Sequence, residues 1–439
     1  MPRNIPYFLS ILALVTSTIT MPAAQAKVID AGNYNFPLTN PFEATIATTP
    51  DVLWPLGLPA NRNIDQDDYE LNLRPEREFS LPDNFWAVRK LKYRIARQPG
   101  PAPLIFLIAG TGSNYASSTM DFLKKVFYRD GYHVVQLSSP TSYDFMVGAS
   151  RHATPGYSPE DARDLYAVMK AVREQQANLA VTDFNLLGYS LGGLDAAFVS
   201  QLDDAEKAFA FKRVLLLNPP VNLQTSVNNL DSLVQTEVKG VNDDQTFYDL
   251  IFTKLATFFR AKGHIQMDAA MLYDFQQSPQ SLSNEELAML IGTVFRFSAA
   301  DIVFTSDLLN RRGGIVPPET IITESSSLTP YFQASLRCNF ACYIDRQLLP
   351  FWRQRFGGTD MTQLIHDSSL YALADYLQAS PKIGVMTNAD DLILGPGDLR
   401  FLRKTLGQRL TVYPHGGHLG NLNYRVNVGD MLEFFHDHE

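Results

Sequence analysis

The sequence predicts an α/β fold: a mostly parallel sheet flanked by helices, interrupted by one long helical insertion. Three observations carry that reading. From about residue 87, apolar runs of strand length alternate with amphipathic helical stretches; between roughly Asn218 and Pro381 the strand signals stop; from Lys382 they return. The chain has 439 residues, 45% of them apolar and 19% charged, which suits a large buried core and not a disordered chain. No repeat with a period of roughly 20 to 50 residues and no low-complexity tract occurs, so solenoids and propellers are excluded.

The first residues read as a targeting signal. Arg3 supplies a weak positive start, Tyr7 to Val15 is a short apolar run, and Ala24-Gln25-Ala26 is a small-x-small cleavage pattern. Residues 1–26 are therefore expected to be the signal peptide of an exported protein, periplasmic or secreted, cut after Ala26. Ser10, Thr16, Ser17, Thr18 and Thr20 interrupt a stretch already short for a bilayer span, and no later apolar run of transmembrane length is expected, so no stable membrane anchor is assigned. Net charge is −9; without residues 1–26, whose only charge is Arg3, 36 basic residues face 46 acidic ones. That balance excludes nucleic acid as a partner, because phosphate binding needs clustered Lys and Arg. Arg89-Lys90-Leu91-Lys92 alternates with an apolar residue, as the solvated face of a strand does.

Residues 27–86 form an irregular, Pro- and Asn-rich lead-in. Residues 87–218 then follow βαβ grammar. Ala87 to Ile95 alternates like a half-buried strand, whereas Pro103 to Ala109 is a continuous apolar run typical of a parallel strand buried on both faces. A helix near Thr119 to Arg129 and a strand from His133 to Leu137 come next. Ser158-Pro159-Glu160-Asp161 opens another helix, with Ser158 as cap, Pro159 in the first turn and two acids at the positive end of the dipole. Its apolar positions Leu165, Val168, Met169 and Val172 recur at helical spacing. A strand from Phe184 to Leu187, a sharp turn, a helix from Leu191 and the strand Val214 to Leu217 complete this part.

Residues 219–381 read as a helical cap, with amphipathic stretches at Phe247 to Arg260, Asn284 to Arg296, Thr329 to Arg355 and Thr362 to Gln378. An insertion this long is not an ordinary loop and is expected to cover a site. Residues 382–439 resume the core: strands at Lys382 to Thr387 and Arg409 to Tyr413, a helix near Asp398 to Thr405, and a last helix near Val428 to His436.

Gly188-Tyr189-Ser190-Leu191-Gly192 matches G-x-S-x-G, with an apolar strand leading in and a helix leading out, the context that lifts a serine onto a strained turn at the top of a sheet. A serine hydroxyl is a poor nucleophile near neutral pH and needs a base oriented by an acid. Asn388-Ala389-Asp390-Asp391 follows one strand, and His415-Gly416-Gly417-His418 follows another. In a parallel sheet both loops emerge at the same carboxyl edge as Ser190, where ligands bind.

On these residues the chain resembles the α/β-hydrolase superfamily, over about Ala87 to Asn218 and Lys382 to His436 but not over the lead-in or the insertion. The resemblance implies an acyl-transfer hydrolase of the esterase or lipase kind, with Ser190 as nucleophile, His418 as base and Asp391, before Leu392-Ile393, as acid. Asp390 is the runner-up for the acid, and His415 the lesser candidate for the base. It also implies two backbone donors for the oxyanion, the N–H groups of Leu191 and of Thr111 in Ala109-Gly110-Thr111-Gly112; Ala109 stands where many relatives carry His. No metal or organic cofactor is implied. The expected substrate is a small-molecule or lipid acyl ester; amidase, peptidase and acyltransferase share the same triad, and a binding protein on a hydrolase scaffold is the alternative of another class. Oligomeric state is not assigned.

The remaining features are structural readings. Cys338 and Cys342, the only cysteines, are expected to form a bridge in the oxidising compartment an exported chain enters, although a regular helix orients residues at that spacing poorly. A zinc site would need further ligands that no nearby His pair supplies. His152 follows a strand end, where it lines a pocket or meets solvent. Phe258, Phe259, Tyr331, Phe332, Phe340, Tyr343, Phe351 and Trp352 are expected chiefly to pack helix against helix.

Overall fold

The computed structural model describes residues 25–77, 81–262 and 269–436. The leader expected at the amino terminus falls almost wholly outside them, and so does the side chain of Phe259. A sheet of nine strands organises the chain: β1 (Lys27–Val28), β2 (Gln66–Leu71), β3 (Leu91–Ala96), β4 (Ala102–Ile108), β5 (His133–Leu137), β6 (Val181–Tyr189), β7 (Arg213–Leu217), β8 (Ile383–Asn388) and β9 (Leu410–Tyr413). Their order across the sheet is β1-β9-β8-β7-β6-β4-β5-β3-β2. Every pairing from β1 to β5 is parallel, and β3 runs antiparallel to both its neighbours. Leu104 to Ile108 are all buried, as a parallel strand covered on both faces requires.

In chain order the α-helices are α1 (Pro41–Ala47), α2 (Ser118–Arg129), α3 (Tyr143–Gly148), α4 (Ser158–Gln175), α5 (Leu191–Glu206), α6 (Leu223–Leu233), α7 (Asp244–Lys262), α8 (Ala269–Gln276), α9 (Asn284–Asn310), α10 (Thr329–Leu336), α11 (Phe340–Tyr343), α12 (Leu349–Phe356), α13 (Met361–Asp367), α14 (Ala374–Ala379), α15 (Asp398–Leu406) and α16 (Arg425–His436). One core, with Phe106, Leu165, Met169, Leu186, Leu194 and Val214, fills one face of the sheet; a second, with Ile105, Leu107, Phe122, Leu187, Leu215 and Val428, fills the other. Between β7 and β8 the described chain forms helices joined by loops, with no strand among the described residues. Its final part, Leu370, Leu373 and Leu377, belongs to the first core.

Several expectations are corrected. The strand expected from Ala87 begins only at Leu91, because Asp83–Val88 winds into a 3₁₀ turn that buries Phe85. The lead-in is not irregular: it supplies β1, α1 and β2, and β2 is an edge strand held to β3 by charge, Asp68 to Arg94 at 2.6 Å and Glu70 to Lys92 at 3.8 Å. Ser158 does not cap α4; Tyr157 holds that position, and Ser158 Oγ donates to the Ser368 carbonyl across to the insertion. The stretch Thr329 to Arg355 is not one helix but α10, α11, a π turn and α12, while Thr362 to Gln378 breaks into α13, a 3₁₀ turn and α14. The first break explains the bridge between Cys338 and Cys342, whose Cα atoms lie 5.2 Å apart: Cys338 precedes α11, and the Asn339 side chain caps Cys342 N–H. Finally, α9 is long and apolar enough to cross a membrane by length and composition, contrary to expectation; here 61% of that apolar window is buried, and Arg296 within it pairs with Asp231 at 2.8 Å.

Where α4 packs on α5, Asp161 and Asp195 are buried together. Asp161 accepts the Gly156 N–H, but neither carboxyl oxygen of Asp195 has a partner among the described residues. Burial, and for Asp161 also the neighbouring charge of Asp195, pushes both carboxyls well above the ordinary 3.8. Because the folded values are raised, the stability they contribute is complete below the unfolded carboxylate range and is lost as pH climbs through the folded values. Asp195→Asn should therefore stabilise the protein at pH 8, by roughly 1–3 kcal/mol as an unpartnered buried charge is removed, and the gain should shrink towards pH 4. Thermal unfolding of both proteins across that range checks this; a gain independent of pH would refute it.

Candidate active site

Backbone contact builds the nucleophile turn. A Cβ on Gly188 would stand 1.9 Å from the Gly192 carbonyl oxygen, and one on Gly192 would stand 2.4 Å from the Ile108 oxygen, so strand, turn and helix close only with glycine at both places. Ser190 between them takes φ 53° and ψ −127°, a conformation that costs a non-glycine residue about 1–3 kcal/mol and holds its side chain at the start of α5. Its own N–H is fixed by the Leu217 carbonyl at 2.8 Å.

The structure brings Ser190, His418 and Asp391 together. Ser190 Oγ lies 2.9 Å from His418 Nε2, and His418 Nδ1 lies 3.0 and 3.2 Å from the two Asp391 oxygens. A carboxylate only accepts, so Nδ1 carries the proton and Nε2 is left to accept from the serine hydroxyl. The Asp391 side chain is wholly buried, and its charge is met by two further donors, Ile393 N–H at 3.1 Å and Asn218 Nδ2 at 2.8 Å.

The neighbouring candidates do other work. Asp390 does not reach the imidazole; it accepts the N–H groups of Gly416 and Gly417 at 3.3 and 3.0 Å, and burial raises its pKa. His415 Nε2 sits 2.9 Å from the Phe36 carbonyl, and its ring packs on Tyr34, so it shapes the loop. His152 lies instead beside Glu160, at 3.6 Å, and Phe351. Asn218 and Asn388 were not singled out from sequence. Asn388 Nδ2 donates to the Gly417 carbonyl at 2.7 Å and to Asn421, locking the His418 loop to the end of β8. Both are asparagines at the ends of β7 and β8, and that position at the carboxyl edge was the available signal.

The turn after β4 lies against the serine. A Cβ on Gly110 would stand 3.0 Å from Ser190 Cβ. Ser113 N–H closes the turn on the Gly110 carbonyl, and Gly112 N–H is held by Thr141 Oγ1 at 2.9 Å. Among the described residues no hydrogen-bond acceptor takes the Thr111 or Leu191 N–H. Among those residues, too, no group of three or more His, Cys, Asp or Glu side chains is placed to hold a metal ion.

A mostly parallel sheet between helical layers, a serine on the strand-to-helix turn, and acid and base on later strand ends in the order Ser, Asp, His together make this the α/β-hydrolase fold. No protein-family model matches the sequence, and no curated protein matches it. Solved structures similar to the chain include a membrane phospholipase A described as a bacterial virulence factor, with 14% identity over 84% of this chain and 86% of that one and a TM-score of 0.40. A peroxisomal alpha-beta-hydrolase from Saccharomyces cerevisiae shares 13% over 86% and 91%, with a TM-score of 0.40. Brefeldin A esterase, a bacterial homologue of human hormone-sensitive lipase, shares 12% over 90% and 84%, with a TM-score of 0.39. At such scores the fold assignment rests on this chain's own strand order and turn geometry.

A proton held between an imidazole and a buried carboxylate resonates far downfield and exchanges slowly. Such a signal should be present in the wild type and in Asp390→Asn, and absent from Asp391→Asn and His418→Ala. Its loss in Asp390→Asn with retention in Asp391→Asn would reverse the assignment of the two acids.

Proposed function

We propose that the chain is an exported serine hydrolase that cleaves an ester with an apolar acyl group. The observation that carries this reading is the unbroken hydrogen-bond chain from Ser190 Oγ through the His418 ring to Asp391. In the reaction His418 Nε2 takes the hydroxyl proton as Ser190 Oγ attacks the ester carbonyl, and Asp391 holds the ring in the tautomer that can accept it. The N–H groups of Leu191 and Thr111 receive the negative oxygen that forms, which is where most of the barrier lowering arises. His418 returns the proton to the departing alcohol, leaving an acyl-Ser190 ester; water, deprotonated by His418, then releases the acid.

The apolar acyl group is supported by what lies above the site. α9 begins at α1, where Asn40 Nδ2 donates to Asn284 Oδ1 at 2.6 Å, and reaches the turn after β4, where Ser298 Cβ would stand 3.3 Å from a Cβ on Gly112. Along this part of α9 the exposed residues Val294 and Phe297 are apolar and lie one helical turn apart. Val294 is 54% and Phe297 37% exposed, and Phe297 stacks with Tyr248 on one side and Phe332 on the other. Export is supported by the leader pattern of residues 1–26 and by the Cys338–Cys342 bridge, a bond of oxidising compartments.

A fluorophosphonate should label the wild type and not Ser190→Ala, and ester turnover should fall about 10⁴-fold or more in that variant. Absence of labelling in folded wild type would sink the catalytic reading in favour of a binding protein. Across straight-chain acyl esters and the matching amides, kcat/KM should rise with acyl length, by up to about tenfold for every two buried methylenes, and Phe297→Ser should flatten the rise. Turnover confined to the amides would overturn the choice of ester.

A further inference from the structure

The His418 loop is built on unfavourable backbone. Gly416, Gly417 and Leu419 have φ of 150°, 56° and 65°, so the residues flanking the histidine sit in or beyond the left-handed region, and one of them is a leucine. Conformations of that kind persist only where surrounding structure over-determines them. Asp390 and Asn388 restrain the loop from the sheet side. The rest of the restraint comes from the opposite end of the chain.

That restraint is α1. Pro41, Ala44 and Thr45, at i, i+3 and i+4, form one face of this short helix and press on the loop. A Cβ on Gly417 would stand 2.2 Å from the Pro41 oxygen and 2.5 Å from Thr45 Oγ1, and one on Gly420 would stand 2.2 Å from the Ala44 oxygen. Thr45 Oγ1 accepts the backbone N–H of His418 itself at 2.9 Å while donating to the Pro41 carbonyl at 2.7 Å. Four residues on, just past α1, the buried Thr49 donates to the Gly420 carbonyl at 2.8 Å. A threonine that only satisfied its own helix would make the bond to Pro41 and no other.

The opposite face of α1 belongs to the helical layer. Phe42 and Ile46 pack with Phe258, Phe275, Leu282 and Leu287 of α7 to α9. Glu43 accepts from Gln277 at 2.9 Å, and Asn40 bonds Asn284 at the first turn of α9. One short helix thus separates the base of the hydrogen-bond chain from the helices over the site, with polar bonds to both.

We infer that Thr45 is a positioning residue for His418 and that α1 is the strut through which α8 and α9 hold the imidazole in line with Ser190. The inference rests on the hydrolase reading for its kinetic consequences but not for its structural one. Thr45 touches no reacting atom. It fixes the height and direction of the His418 backbone, and Asp391 fixes the rotation of the ring. Without the Thr45 acceptor the His418 N–H loses its partner, the loop relaxes away from its strained geometry, and Nε2 leaves the line of attack.

Thr45→Val keeps the shape and removes the acceptor; Thr45→Ser restores it. In Thr45→Val the downfield His418 proton should broaden or vanish, and the rate of Ser190 labelling by a fluorophosphonate should fall about tenfold to a hundredfold, as misplacement of a reacting group by about 1 Å does. Ester kcat should fall by the same factor with KM within about twofold, and Thr45→Ser should recover all three. Should Thr45→Val fail to fold, Asn284→Ala, which removes the Asn40–Asn284 bond between α1 and α9 without touching the loop, should show the same losses at about two- to fivefold. A folded Thr45→Val with wild-type signal and rate, equal losses in the valine and serine variants, or an unaffected Asn284→Ala where it stands in for the valine, overturns the inference. If folded wild type takes no label, the hydrolase reading falls; loss of the signal in Thr45→Val and its return in Thr45→Ser would still uphold the positioning.

Discussion

Backbone lies directly on backbone where β6 gives way to α5, and the geometry of the site follows from that contact. With hydrogen in place of a side chain at Gly188 and Gly192, the start of α5 settles onto the ends of β4 and β6. The chain between them has no room to turn gradually, so Ser190 is driven to positive φ. Its hydroxyl then meets His418 Nε2, and among the described residues no acceptor takes the N–H of the next residue. The turn after β4 rests on Ser190 Cβ through Gly110, which registers Thr111 to the serine without a hydrogen bond between them. Strain of about 1–3 kcal/mol at one residue is small beside the burial of two sheet faces that enforces it.

Two adjacent aspartates show how environment divides roles. Asp391 is wholly buried yet meets the imidazole and two neutral donors, so its charge is balanced where it lies. Asp390, one residue earlier, points to the opposite side of the turn and spends its oxygens on the two glycine N–H groups ahead of His418. One carboxylate orients the ring and the other fastens the loop that carries it. Asp391 bears on the rotation of the ring, and Asp390 on the backbone that carries it.

Much of this was legible in the sequence because each member of the chain follows a strand that periodicity reveals. Strand ends and turn chemistry placed Ser190 and the two loops that carry the acid and histidine candidates, the resemblance chose Asp391 and His418 within them, and the structure brings these three together. What periodicity missed is what does not depend on it. β2, Gln66–Leu71, has only Tyr69 and Leu71 as an apolar alternation, too short to stand out; it is a strand through its antiparallel ladder with β3, along which Arg94 and Lys92 also face its acids. α1 offers under two turns, with Phe42 and Ile46 as its apolar pair, and its start is marked locally by the Asn40 cap, Pro41 and Glu43, a signal that was passed over inside the Pro- and Asn-rich lead-in. Its partners lie hundreds of residues away. The long helix expected across Thr329 to Arg355 failed because composition is blind to the break at Cys338 and Asn339. Asn218 and Asn388 looked like ordinary loop residues until the sheet set them beneath Asp391 and the His418 loop.

The helical layer and the hydrogen-bond chain are not independent. From Asn284 to Ser298, the first half of α9 covers about 21 Å at the ordinary rise of a helix, and the ends of that half bear on α1, which bonds the His418 loop, and on the turn that carries Thr111. Between those ends its open face is apolar, whereas Asp301, one turn past Phe297, is pushed up to about 6 by burial and by the nearby Asp144. α9 therefore reaches both α1, which bonds the His418 loop, and the turn after β4, and it couples these two segments around Ser190.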